Sequence, residues 1–130
     1  MKLKIKVTKQ ILKESMYCGT ELHNGSTNKN SSYTIDSNCA IACAIREIFP
    51  KATVGNMYIS LDYPKFITLP LKAIKFISKF DNLIATPQKR LNLPEIEFTI
   101  DVPNNIIDSI DIEEAYQILS KSETLELVEA

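Results

Sequence analysis

Glycine, histidine and cysteine are scarce in this sequence, and each shortage limits the chemistry the chain can carry. The three glycines, Gly19, Gly25 and Gly55, are too dispersed for a phosphate-binding loop, and no Lys-Ser or Lys-Thr pair follows a glycine at P-loop spacing. His23 is the only histidine. No segment approaches the roughly 20 apolar residues that span a bilayer. These absences argue against nucleotide hydrolysis and against a membrane-spanning protein.

The three cysteines, Cys18, Cys39 and Cys43, leave at least one thiol unpaired. Cys39 and Cys43 are one helical turn apart, where a disulfide would distort the backbone, so the set is typical of a reduced, intracellular protein. The stretch Met1–Val7 alternates lysine with hydrophobic residues and lacks the continuous apolar run of a signal peptide. We therefore expect a soluble, cytoplasmic protein.

The length of 130 residues indicates one domain, 1–130, which can bury roughly two thirds of its unfolded surface without a metal or a disulfide. Its most hydrophobic stretch, at about 38–49, is apolar on nearly every side of a helix. Only Arg46 and Glu47 interrupt it before Pro50 ends it. Because a surface helix would have a polar face, we predict that this helix forms the centre of the core.

Two distant segments alternate as half-buried strands do. In Lys2–Val7 the outward residues are all lysines, whereas the outward residues of 94–102 are mainly acidic. The inward residues of the second segment are Ile96, Phe98, Ile100 and Val102. Because opposite charges on neighbouring strands attract, we predict that the two segments pair in one sheet, in a direction that the sequence leaves open.

The remaining pattern predicts an α+β domain, with a mostly antiparallel sheet of three to four strands packed against the central helix and a second helix at about 69–80. Thr8 is predicted to cap a helix at Lys9–Ser15, and Thr68 to cap the second helix. Residues 18–37 have the composition of a long flexible loop. The other predicted elements are a strand at 53–61 with a bulge at Gly55-Asn56, an edge segment at 66–68, a helical segment at 103–110, a C-terminal helix at about 112–120 capped by Asp111, and an edge strand at 124–128.

Helical spacing predicts which residues of the later helices face the core. For the second helix these are Leu71, Ile74, Ile77 and Phe80, and for the C-terminal helix they are Ile112, Ala115, Tyr116 and Leu119. Three lysines, Lys72, Lys75 and Lys79, then form a polar face on the second helix. Their spacing is typical of a solvated surface and few aromatic residues accompany them, so direct nucleic-acid binding is disfavoured.

Charge is unevenly distributed along the chain although the net charge is only −1. Residues 1–90 contain 14 basic and 6 acidic side chains, whereas residues 91–130 contain 1 and 10. The favoured interpretation is that the two parts fold together and largely neutralise each other. The alternative is an acidic face that attracts a basic partner or occupies a groove built for phosphates. Its candidate residues are Glu95, Glu97, Asp101, Asp108, Asp111, Glu113 and Glu114.

Cys39 lies where the positive end of a helix would favour its thiolate, as in cysteine nucleophiles. A hydrolase would pair it with His23, and Asn38 or Asp36 would complete the site. The more common role of such a residue is that of a small buried hydrophobic side chain, which is the interpretation we favour.

The cysteines and His23 also form a possible zinc set, with the spacings Cys18-x4-His23 and Cys39-x3-Cys43. These spacings differ from the Cys-x2-Cys of zinc knuckles, and the second pair would lie on an otherwise apolar helix. We therefore assign no metal ligand, cofactor or catalytic residue from the sequence.

A family resemblance covers about residues 36–103. It rests on the order Asn-Cys-Ala-Ile-Ala-x-Ala-Ile at 38–45, on Leu69-Pro70 opening a helix that ends Phe76-Ile77-x-x-Phe80-Asp81, and on a Phe98 strand running into Val102-Pro103. The pattern resembles small uncharacterised proteins of phages and other mobile elements, which often carry Cys-Pro-Ile/Val-Ala-x-Ala. Here Ala40 replaces the proline, and Cys43 is not part of the pattern. The resemblance implies a lineage and a bacterial host cytoplasm, and it transfers no activity.

Three hypotheses for function follow. The leading one is a non-enzymatic binding protein of a phage or mobile element, most concretely an anti-CRISPR inhibitor that uses an acidic surface against a host immune nuclease. Its basis is the analogy with compact acidic proteins of such elements that occupy nucleic-acid grooves. The second is a cysteine hydrolase using Cys39 and His23. The third is a structural module that self-associates through its basic and acidic regions.

Overall fold

The computed structural model of the protein describes residues 2–18, 40–49, 52–55, 57–62, 65–103 and 112–128. The fold combines helices with antiparallel strands, which confirms the predicted α+β class. In chain order the elements are β1 (Lys2–Val7), α1 (Lys9–Ser15), α2 (Ala40–Ile45), β2 (Thr53–Val54), β3 (Tyr58–Asp62), β4 (Lys65–Thr68), α3 (Leu71–Asn82), a 3₁₀ helix (Pro87–Asn92), β5 (Ile96–Asp101), α4 (Ile112–Lys121) and β6 (Leu125–Val128).

The first sheet has the strand order β5-β1-β6, and both pairings are antiparallel. The predicted pairing of the two charged strands is confirmed, with Ile5 opposite Phe98. Alternation sends the apolar side chains of β1 into the core, where Leu3, Ile5 and Val7 are fully buried. The lysines of β1 consequently lie on the opposite face of the sheet.

The remaining strands form a second antiparallel sheet, in the order β2-β3-β4, so the strands divide between two sheets instead of forming one. The predicted strand at 53–61 is a hairpin: β2 and β3 pair with each other, and the Gly55 N–H donates to the Tyr58 carbonyl at 2.9 Å. The bulge predicted at Gly55-Asn56 involves Asn56, which lies outside the described residues, so it stays a prediction. The register irregularity lies between β3 and β4, at Ser60/Asp62.

Helix α1 has the predicted bounds and the predicted cap, since the Thr8 hydroxyl accepts the Ile11 N–H at 3.2 Å. Helix α2 ends at Ile45 and is followed by a turn, so it is shorter than the 38–49 predicted from the apolar run. Five of its six residues are buried, and it packs against β1 and α1. The central position that we predicted for this segment is thus confirmed.

Helix α3 begins at Leu71 with Pro70 at the N-cap and no side-chain cap, because Thr68 belongs to β4. Leu71 is 63% exposed, contrary to the predicted inward stripe. The buried stripe is Ala73, Phe76, Ile77 and Phe80, which has the spacing i, i+3, i+4 and i+7 of a continuous helix face. The small Ala73 completes that face, and Leu71 lies on the other side of the first turn.

Helix α4 buries Ala115 and Leu119 as predicted, but Tyr116 is 48% exposed. Its ring is displaced by about 100° around the helix from Ala115, which places it at the edge of the apolar face. The predicted loop at 18–37, the helical segment at 103–110 and the cap Asp111 lie wholly or almost wholly outside the described residues. Within the described ranges, no helix has both the length and the apolar character needed to cross a bilayer.

Candidate functional site

The outer face of the first sheet carries alternating columns of basic and acidic residues. The register places Lys2 opposite Asp101 and Lys6 opposite Glu97 on β5. On the other side of β1, the Lys4 Nζ lies 3.4 Å from Glu126 Oε2, and the Lys6 Nζ lies 3.9 Å from Glu126 Oε1. Each lysine of β1 therefore has a carboxylate on at least one neighbouring strand, and Lys6 has one on both.

This arrangement supports the favoured interpretation of the charge pattern, in which basic and acidic parts neutralise each other. Glu97 and Asp101 are exposed, yet each lies opposite a lysine of β1. Exposed ion pairs of this kind contribute about 0–1 kcal/mol each. The sheet face is mixed in charge and is a poor match for a purely basic groove.

Glu95, another of the predicted surface residues, has a structural contact. Its Oε2 accepts the backbone N–H of Lys9, the first residue of α1, at 2.7 Å. A carboxylate at this end of a helix is favoured by the positive helix dipole. The Lys9 Nζ donates in turn to the carbonyls of Leu91 and Leu93, at 3.0 and 2.6 Å. These contacts join α1 to the segment that leads into β5.

The first turn of α4 carries the other described candidates, Glu113 and Glu114, and both are exposed. Tyr116 lies one turn after Glu113, so the two side chains are neighbours on the helix surface. We call Glu113, Glu114, Tyr116 and the exposed Gln117 the acidic helix face. Asp108 and Asp111 lie outside the described residues. The predicted acidic surface is thus divided between the sheet face, the start of α1 and the acidic helix face on α4.

A cavity of about 750 Å³ lies between α1, the turn after α2 and the turn before β6. Cys18 and Cys43, two members of the zinc set considered above, both contribute to its wall. The remaining lining residues are Thr8, Gln10, Ile11, Glu14, Ser15, Tyr17, Arg46, Glu47, Lys121, Glu123 and Thr124. His23 and Cys39 are not among the described residues, and the described part of the chain contains no cluster of three or more potential metal ligands. The zinc hypothesis and the Cys39/His23 hydrolase stay predictions.

The thiol of Cys43 has a raised pKa, mainly because burial disfavours its charged form. The carboxylate of Glu14 raises this pKa further, whereas the guanidinium of Arg46 lowers it. Nucleophilic cysteines have a lowered pKa, since the thiolate is the reactive form. The environment of Cys43 therefore favours the neutral thiol.

Sequence reasoning missed Arg90, which is only 1% exposed. Its Nε donates to the Phe80 carbonyl at 2.8 Å, and its Nη1 donates to the carbonyls of Met16 and Cys18, each at 2.8 Å. Arg90 thereby fixes the turn after α1, which carries Cys18 to the wall of the cavity. The local sequence contains no signal for this role, because Lys89-Arg90 in a polar connection is typical of solvent-exposed residues.

Comparison with protein families, curated proteins and solved structures gave no match to this chain. The resemblance to proteins of phages and mobile elements therefore stays a prediction from the sequence.

Proposed function

We propose that this chain is a non-enzymatic binding protein that recognises a partner protein through the acidic helix face. The observation that supports this proposal is the exposure of Tyr116 beside Glu113 on α4. Tyrosine is enriched at the centres of protein interfaces because it buries a large apolar ring and still offers a hydroxyl for hydrogen bonding. A half-exposed tyrosine flanked by carboxylates suits a partner surface that combines an apolar pocket with basic residues.

The most specific partner that we propose is a host immune nuclease of the CRISPR type. In that case the chain is encoded by a phage or mobile element. Grooves that bind nucleic acid are lined with lysine and arginine, so an acidic helix can compete for the same basic residues. The family resemblance and the acidic helix face are the two supports for this assignment. Charge complementarity of this kind also speeds association at low salt.

The experiment measures cleavage of target DNA by a guide-loaded CRISPR nuclease while the purified protein is titrated in. We expect inhibition by the wild-type chain and a loss of at least about tenfold in potency for the E113K/E114K variant. The Y116A variant should lose a similar amount, since truncating a tyrosine that is a hot spot of an interface costs about 2 kcal/mol or more.

The matched control is E97K/D101K, which reverses the same number of charges on the sheet face. It should retain most of the inhibition, and thermal unfolding of each variant establishes that it is folded. Equal losses in both charge-reversed variants would show a nonspecific effect of net charge. Failure of the wild-type protein to slow any tested nuclease would remove the assignment to that class of partner.

A further inference from the structure

The outer edge of β5 is an end of the first sheet. On its other side β5 pairs with β1, and within the described part of the chain no further strand adjoins it. The direction of the β1 backbone is shown by the Lys6 N–H, which donates to the Thr124 carbonyl at 2.8 Å. In an antiparallel sheet the N–H and C=O of one residue point to the same side, and successive residues point to opposite sides. The backbone groups of Lys6 therefore point toward β6 and away from β5.

The direction of the β5 backbone follows from the register. Lys6 is opposite Glu97, so the two form a non-hydrogen-bonded pair, and the N–H and C=O of Glu97 point away from β1. The same holds for every second residue of the strand, namely Thr99 and Asp101. A contact from α3 agrees with this direction, since the Lys72 Nζ donates to the Glu97 carbonyl at 3.1 Å. The outer edge of β5 thus presents the backbone donors and acceptors of three residues.

The side chains along this edge define the kind of strand that fits it. Glu97, Thr99 and Asp101 are exposed on the outer face of the sheet. Neither carboxylate makes an ion pair with another described residue, since the two salt bridges of β1 go to β6. On the inner face Phe98 and Ile100 are buried. A strand added to β5 would place alternate residues beside the carboxylates and the intervening residues beside the apolar inner face. Such a strand should alternate basic with apolar residues.

The chain itself contains a strand of this pattern. β1 alternates lysine with apolar residues, and it pairs with the opposite edge of the same β5. We propose that the outer edge of β5 binds an extended segment of a partner protein that alternates basic and apolar residues, by addition of a strand to the first sheet. The β1 strand of a second copy is not the occupant, because β1 is paired on both sides.

Lys72 restricts this strand addition. Its ammonium group holds the Glu97 carbonyl, which an added strand would use, and it repels a basic segment. The acidic helix face belongs to α4, which packs against β6 at the other end of the sheet order. The proposal for β5 therefore does not depend on the proposed inhibitor function.

The test is an NMR titration of the full chain with a capped peptide of sequence Lys-Leu-Lys-Ile-Lys-Val, which repeats β1. We expect saturable binding, and at least about tenfold weaker binding of the peptide Glu-Leu-Glu-Ile-Glu-Val, because like charges then face Glu97 and Asp101. Hydrogen exchange of the Thr99 amide should slow on binding, since this N–H points toward the peptide. The amides of Phe98 and Ile100 point toward β1 and should keep their exchange rates.

Paired variants separate strand addition from a general effect of charge. T99P removes the outward N–H of Thr99 and should bind the basic peptide at least about tenfold more weakly, whereas T99V keeps this N–H and should bind like the wild type. Proline is tolerated in an edge strand where the N–H faces solvent. K72M frees the Glu97 carbonyl and should bind about threefold more tightly. K75M removes the same charge from an exposed residue of the same helix and should change the affinity less.

Circular dichroism establishes that each variant is folded. E97K/D101K leaves the backbone of β5 unchanged, so it tests the proposal even where T99P does not fold, and it should bind the basic peptide at least about tenfold more weakly. Absence of binding, binding that leaves the Thr99 amide unprotected, unchanged binding by E97K/D101K, or weaker binding by K72M would each overturn the proposal. Since no nuclease is present in this assay, these outcomes are independent of the inhibition experiment.

Discussion

The guanidinium carbon of Arg90 lies 3.8 Å from the centroid of the Phe80 ring. This cation–π contact accompanies hydrogen bonds from the same guanidinium to carbonyls of three residues, Phe80, Met16 and Cys18. Arg90 therefore joins the end of α3, the 3₁₀ helix and the turn after α1. Segments separated by more than 70 residues in the chain are held together by one side chain.

Replacing Arg90 by Met should lower the free energy of unfolding by about 3–5 kcal/mol, because the carbonyls that it serves lose a buried donor. Equilibrium unfolding in urea measures this loss. The K89M variant is the control, since Lys89 is exposed on the same 3₁₀ helix and should change stability by less than about 0.5 kcal/mol. A decrease of less than about 1 kcal/mol in the unfolding free energy of R90M would contradict the role of Arg90 in holding these segments together.

Glu95 and Glu97 are only two residues apart in the sequence, but replacing them should affect the stability of the protein differently. Replacing Glu95 by Ala removes the acceptor of the Lys9 N–H at the start of α1 and should cost about 1 kcal/mol. Replacing Glu97 by Ala removes an exposed neighbour of Lys6 and should cost less than about 0.5 kcal/mol. Urea unfolding and amide hydrogen exchange in α1 measure the difference, and equal effects would count against the capping contact.

The elements that the sequence predicted best are those whose signals are local or strongly periodic. Helix α1 follows from one capping residue, Thr8, and the pairing of β1 with β5 follows from alternation combined with opposite charge. The division into two sheets could not be predicted, because two-residue and four-residue strands such as β2 and β4 carry too little pattern to fix their neighbours.

The missed features depend on tertiary contacts. Tyr116 lies at the margin of its helical stripe, where periodicity alone does not distinguish buried from exposed residues. Leu71 lies on the side of α3 opposite the buried stripe, because a strict spacing of three residues drifts around the helix. The burial of Arg90 depends on carbonyls from a segment more than 70 residues away. The acidic surface differs from the predicted one for the same reason. The partner of Glu95 is set by the start of α1, and the partner of Glu97 is set by strand register.

The raised pKa of Cys43 has a defined consequence for reactivity and for stability. The folded protein keeps the thiol proton at pH values where the unfolded chain, with a pKa near the ordinary value of 9.0, begins to release it. Between these two pKa values the folded state binds more protons, so stability falls as pH rises. The contribution of Cys43 is therefore fully present below about pH 9.0 and is lost as pH rises through the raised pKa.

Alkylation of Cys43 by iodoacetamide, followed by mass spectrometry in a variant with Cys18 and Cys39 replaced by serine, should show a pH midpoint above 9.0. Replacing Glu14 by Gln removes a negative charge that favours the neutral thiol and should lower the midpoint. Replacing Arg46 by Gln removes the opposing positive charge and should raise it. These opposite shifts distinguish charge effects from a general loosening of the fold, which would increase the reactivity of Cys43 in both variants. An alkylation midpoint below pH 9.0 in the parent chain would show that Cys43 is activated, and would make the cavity a candidate reactive site.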